Sequence, residues 1–151
     1  MPERGSTVKI DEAILSRCAE LGLTCIRAKR LAAAADPPSS LPWVLGLDTE
    51  TLKPLKPRRW LWTAAQTSSV SYRDLLTPEA LLQILLSGNI PAAFLSHLCH
   101  LLDEAPLQVV TMAIEQASQE SGVQIELIWS KFEEIAVQID SKRMEAWKIR
   151  D

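Results

Sequence analysis

A chain of 151 residues with 47% apolar side chains, 23% charged side chains and a net charge of -3 matches a compact globular domain, not a disordered segment, a collagen or a bulk polycation. No apolar run reaches the roughly 20 residues that span a bilayer, and residues 1–10 carry no apolar core of a secretory signal, so no membrane partner is expected and a cytoplasmic location is. Three cysteines, Cys18, Cys25 and Cys99, are an odd number without C-x-x-C spacing, which argues against a disulfide framework or a cysteine zinc site.

The elements follow in chain order. Between residues 11 and 35, Ile14, Leu15, Cys18, Leu21 and Cys25 recur at the spacing of one buried helical face, with Gly22 as a defect or a break. Asp36-Pro37-Pro38 ends that segment. From 43 to 73 the period changes. Trp43, Leu45 and Leu47 alternate in a short apolar run, while 59–63 and 69–72 are rich in aromatic and β-branched types around Gln66-Thr67-Ser68. That pattern predicts a buried strand followed by a hairpin.

Helical signals return over 77–149. Thr77-Pro78-Glu79 is a cap residue, a first-turn proline and a first-turn acid. Leu81, Leu82, Leu85 and Leu86 form one face and Gly88 is a stop. Residues 90–95 fit either a strand or a helix start. Pro106 opens another helix, Gly122 separates it from the next, and Ile125, Ile128, Phe132, Ile135 and Ile139 make a heptad-like seam expected to face the core. The expected fold is a single α/β or α+β domain, with a small sheet at about 43–73 covered by helices from both ends.

The sharpest local feature is Trp43-Val44-Leu45-Gly46-Leu47-Asp48-Thr49-Glu50-Thr51. On an extended segment Asp48 and Glu50 share a face, roughly 7 Å apart along the backbone. They stand where an apolar strand stops, the place where open α/β sheets bind ligands. Two carboxylates there would hold Mg²⁺ or Mn²⁺ through oxygen. This segment resembles the first motif of the DEDD family of 3′–5′ exonucleases, the proofreading and ribonuclease D type, in which an apolar strand ends in Asp-Thr-Glu-Thr. The resemblance implies a ribonuclease H-like fold, Asp48 and Glu50 as catalytic metal ligands, and two-ion cleavage of a phosphodiester. The family's second motif has an Asn shortly before an Asp, whereas 97–103 reads His-Leu-Cys-His-Leu-Leu-Asp, leaving Asp103 as the candidate third carboxylate. No Tyr or His stands four residues before an Asp after Asp103, so the implied exonuclease is incomplete or catalytically impaired.

Charge is unevenly spread. Residues 1–75 hold 11 basic and 8 acidic side chains, and residues 76–139 hold 1 and 8. Within the basic front, Lys53, Lys56, Arg58 and Arg59 lie beside Trp60 and Trp62, cations for phosphates next to indoles for unpaired bases. Single-stranded nucleic acid is the ligand this pattern fits; burial of both tryptophans with solvated cations is the structural alternative. His97, His100 and Glu104 fall on one helical face but are one ligand short of a structural zinc site. A rival to the exonuclease reading is a non-enzymatic helical small subunit of a larger protein or nucleoprotein assembly, binding other subunits through its helical second half. Small helical subunits of CRISPR effector complexes have this size. A sheet at 43–73 favours the exonuclease reading, and a helical bundle with an ordered proline-rich loop favours the subunit.

Overall fold

The computed structural model describes residues 12–34, 40–56, 59–69 and 74–148. Two helices occupy the N-terminal stretch, α1 over residues 12–20 and α2 over Cys25–Ala34. The break falls at Gly22, whose φ of +68° is open to glycine and strained for other residues. Thr24 starts α2 by accepting the Arg27 N–H at 3.1 Å, an N-cap bond.

The sheet expected at 43–73 is absent among the described residues. That region holds α3 (Leu41–Val44), a loop closed by one antiparallel bridge between Leu47 and Pro54, and α4 (Trp60–Ser69). The α/β or α+β expectation, including its ribonuclease H-like form, is therefore corrected: the fold is all-helical. Two physical reasons account for it. Val44, Leu45, Gly46 and Leu47 are buried consecutively, so the apolar run packs as a compact turn and not as an alternating strand. In α4, Trp60, Leu61, Ala64, Ala65, Ser68 and Ser69 are the buried residues, a helical repeat that outweighs the strand propensity of Trp and Thr. Residues 66–68, read as a turn, lie inside this helix, where the Ser68 and Ser69 hydroxyls donate to the carbonyls of Ala64 and Ala65, both at 2.8 Å. Residues 70–72 of the expected second strand fall outside the described residues.

The later helices follow their signals. Helix α5 (Pro78–Ser87) begins at Thr77, whose side chain accepts the Ala80 N–H at 3.1 Å, and ends on Gly88 in the left-handed conformation. A 3₁₀ turn (Ala92–Phe94) leads into α6 (Leu95–Asp103), resolving the ambiguity at 90–95 as helix. Helices α7 (Leu107–Ser121), α8 (Ile125–Ile139) and α9 (Met144–Trp147) complete the chain.

One core runs from Ile14 to Trp147. Helix α7 is its axis: it packs against α3, α4, α5 and α8 and buries eight of its residues, from Leu107 to Ala117. The α8 seam lies inside, with Ile125, Ile128, Phe132 and Ile135 buried and Ile139 packed at the edge. Trp129, Phe132 and Trp147 meet edge to face, with ring centroids 6.1 and 4.9 Å apart. This cluster fastens α9 to α8, and Arg27 completes it from α2, its guanidinium 4.7 Å from the centre of the Trp129 ring while donating to the Trp147 carbonyl at 3.2 Å. No single helix among the described residues is long and apolar enough to cross a membrane.

Candidate functional site

The loop between α3 and α4 collects most of the residues singled out in the sequence. Asp48 is its organiser. The Asp48 carboxylate Oδ1 accepts the N–H groups of Glu50 at 2.8 Å and Thr51 at 2.9 Å, the bonding of an Asx turn. The Asp48 N–H in turn donates to the Lys53 carbonyl at 2.9 Å. These bonds explain why this sequence stops being apolar at 48: the aspartate satisfies the backbone of the reversal. The N–H of Thr51, and then that of Glu50, hold the Asp48 carboxyl below the usual carboxylate range.

Asp48 and Glu50 thus sit in a turn and do not share the face of a strand, and the Glu50 side chain is exposed. Asp103, at the end of α6, serves elsewhere: its Oδ1 accepts from the Ser141 hydroxyl at 2.6 Å and the Lys142 N–H at 2.8 Å, joining α6 to the α8–α9 connection. Among the described residues no three His, Cys, Asp or Glu side chains gather around a point where a metal ion would fit. Asp48, Glu50 and Asp103 are accordingly not brought together as a three-carboxylate centre. His97 packs edge to face on Phe94 and bonds the Asp74 carbonyl, and His100 pairs with Glu104 at 2.9 Å, so both histidines have local partners on the α6 side of the fold.

The cationic segment divides. Lys53, Lys56 and Arg59 are exposed, and Arg58 lies outside the described residues. Trp60 is a core residue, 8% exposed, because it begins the buried stripe of α4. Trp62, two residues on, points the other way and is 44% exposed. The Arg59 guanidinium stands 5.7 Å from the centre of the Trp62 ring, a cation–π distance.

Three clefts adjoin here. One, of about 470 Å³, is lined by Trp43, Leu47, Leu55 and Trp60 with Asp48 and Lys56. A second, of about 160 Å³, is lined by Arg59, Trp62, Pro78, Leu82 and the acids Glu79 and Glu120. The third, of about 370 Å³, shares Leu55 and Trp60 with the first and Glu120 with the second, and has Arg17 in its wall.

Arg17 is the residue that the sequence reading passed over. It is 6% exposed. Its Nε donates to the Leu45 carbonyl at 2.7 Å, and Nη1 and Nη2 grip Glu115 of α7 at 2.6 and 2.8 Å. Nη1 also reaches Glu20 at 2.9 Å. Burial alone would lower the Arg17 pKa, but the bond to Glu115 and the charges of Glu115 and Glu20 outweigh it and raise it. The guanidinium therefore ties α1, the start of the loop and α7 into one unit. A signal existed: Arg17 falls on the apolar face of α1, three residues after Ile14 and four before Leu21, where an unpaired charge is too costly to bury. Beneath the same loop, Gly46 has φ +75°, and a Cβ there would stand 2.3 Å from the Met112 sulfur, so only glycine lets the loop lie this close to α7.

Comparisons of this chain with protein-family models, with curated proteins and with solved structures find no match.

Proposed function

We propose that this chain is a non-enzymatic helical subunit of a nucleoprotein assembly, and that it lays a single strand of nucleic acid along the α3–α4 loop and the first turn of α4. The observation that carries the reading is Trp62: a tryptophan 44% exposed, partnered by the Arg59 guanidinium, at the end of a loop that also carries the exposed Lys53 and Lys56. Exposed indoles are stacking platforms for unpaired bases, and neighbouring cations neutralise the phosphates between them. The carboxylates Glu79 and Glu120 line the cleft on the α5–α7 side of Trp62, which steers the phosphates towards the lysine side. The exonuclease reading needs a sheet edge to present Asp48 and Glu50 to metal, and here Asp48 instead accepts the backbone N–H groups of its own turn.

The test is a titration of a dye-labelled oligouridylate or oligothymidylate, with and without magnesium or manganese. Wild type binds, and Trp62→Ala weakens binding by about 5- to 150-fold, the equivalent of about 1–3 kcal/mol for one stacked base. The labelled strand stays intact in either metal. Absence of binding, or affinity unchanged by Trp62→Ala, removes the proposal. Cleavage abolished by Asp48→Ala would restore the exonuclease reading.

A further inference from the structure

The cleft of about 470 Å³ where α3, the α3–α4 loop, α4 and α7 meet has the size of a small-molecule site. Bonds of the fold itself fix its walls. From α7, Gln108 Nε2 donates to the Trp43 carbonyl at 2.9 Å. Across the loop, the Asp48 N–H donates to the Lys53 carbonyl at 2.9 Å and the Leu55 N–H to the Gly46 carbonyl at 3.0 Å. Asp48 closes its own turn on the Glu50 and Thr51 N–H groups. Trp43, Asp48 and Gln108 are half-buried, so solvent still reaches them. The wall's chemistry is one-sided. Trp43, Leu47, Leu55 and Trp60 supply aromatic and apolar surface, and Asp48 and Gln108 supply polar groups. Because Nε2 of Gln108 is committed to a carbonyl, its Oε1 remains as an acceptor, and an ionised carboxylate only accepts. The N–H groups of Thr51 and Glu50 hold the Asp48 carboxyl low, so it is ionised at neutral pH.

We infer that this cleft seats one unpaired guanine of the bound strand, its ring on the Trp43 indole and its N1–H and N2–H groups on the Asp48 carboxylate and Gln108 Oε1, a seat that presupposes the single-strand reading above. Single strands are read by stacking their bases on aromatic side chains and bonding the Watson–Crick edge. That edge separates the four bases by their donors. Guanine presents two neighbouring donors, N1–H and the exocyclic amine. Adenine and cytosine each present one amine beside a ring acceptor, and thymine and uracil present one N–H between two carbonyls. A wall with two acceptors therefore complements guanine and leaves an acceptor facing an acceptor for the others, which a partly buried site penalises. The exposed Lys56, also at this cleft, supplies a cation for the adjoining phosphate. The seat is continuous with the stacking platform already described: Trp60 lines this cleft, and Trp62, two residues on, lines the next.

Fluorescence anisotropy on the full chain compares a dye-labelled oligothymidylate with the same strand carrying a single guanine, adenine or cytosine. The guanine strand should bind tighter than the all-thymine strand by at least about 5-fold, and the adenine and cytosine strands should not. In Asp48→Asn the side-chain oxygen still accepts the N–H groups of the turn, but an NH₂ donor replaces the second acceptor, so the guanine and thymine strands should bind alike. The amide resonances of Glu50 and Thr51 check that the turn persists, and the Trp43 indole N–H resonance should move on adding the guanine strand to wild type. Oligothymidylate bound with no guanine advantage, or an equal advantage for adenine, overturns the guanine seat and leaves the single-strand reading standing. A guanine advantage that survives Asp48→Asn also overturns it. Binding of none of the strands removes both.

Discussion

Replacing Arg17 by methionine tests whether one buried guanidinium holds the candidate site in place. Methionine keeps an unbranched apolar stem like that of arginine and removes the guanidinium with its charge. Three acceptors lose their donor: the Leu45 carbonyl, the Glu115 carboxylate and the Glu20 carboxylate. They do not count equally. The Glu20 side chain is 58% exposed, so water replaces the guanidinium there and the contribution is within about 0.5 kcal/mol. The Glu115 side chain is 20% exposed against 7% for Arg17, and stripping one partner from such a pair costs about 3–5 kcal/mol when fully buried. Partial exposure places the expected loss at the lower end, about 3 kcal/mol with the Leu45 carbonyl included. For a domain of this size that loss lowers Tm by about 6–12 °C. Urea unfolding followed by far-ultraviolet circular dichroism measures it. Adding Glu115→Leu should recover part of the loss, since an apolar pair carries no stranded charge, and a coupling of about 2 kcal/mol is expected from the double-mutant cycle. Arg17→Met within about 0.5 kcal/mol of wild type, or a double variant no more stable than the single, would refute the reasoning.

Other perturbations probe the same frame. The Asp48 carboxyl is held low by the N–H groups of Thr51 and Glu50. A depressed folded pKa contributes stability above the unfolded value, near about 3.9 for aspartate, and that contribution is lost as pH falls through the folded value. The amide resonances of Glu50 and Thr51 should therefore shift only below about pH 4 and stop shifting in Asp48→Asn; a transition near neutral pH would contradict the turn. Gly46→Ala forces a Cβ against the Met112 sulfur in a left-handed backbone; it should cost about 1–3 kcal/mol, with Met112→Ala relieving the clash but not the backbone strain. Trp147 is fully buried against Phe132, so Trp147→Ala should lower unfolding free energy by about 3–5 kcal/mol, and a loss below about 1 kcal/mol would mean that α9 is not part of the core.

Helices α5, α7 and α8 were readable because they carry their own boundaries. Thr77 and Pro78 begin α5, Gly88 and Gly122 end α5 and α7, and the α8 seam repeats at a spacing only a helix presents on one side. Gly22 signals a defect or a break, and the fold makes it the α1–α2 break. These signals act within a few residues of chain, so a linear reading recovers them.

The region 43–73 was misread because its local preferences and its packing disagree. Tryptophan, valine and threonine favour strands, yet the loop and α4 are shaped by what lies opposite them, namely Met112 against Gly46, Glu115 against Arg17, and the Gln116 side chain accepting the Leu61 N–H at 2.6 Å. The candidate site shows the same division. Sequence placed the cations and indoles of 53–62 together, and their types were enough to suggest a polyanion. Which tryptophan faces water was a matter of helical phase, and α4 turned Trp60 inward and Trp62 outward. Asp48 and Glu50 became turn residues, not a strand end, because no partner strand exists among the described residues to carry them. Arg17 and Glu115, 98 positions apart, meet only through the packing of α1 on α7. Local bonding is written in consecutive residues, whereas burial and long-range pairing depend on which surfaces the folded chain brings face to face.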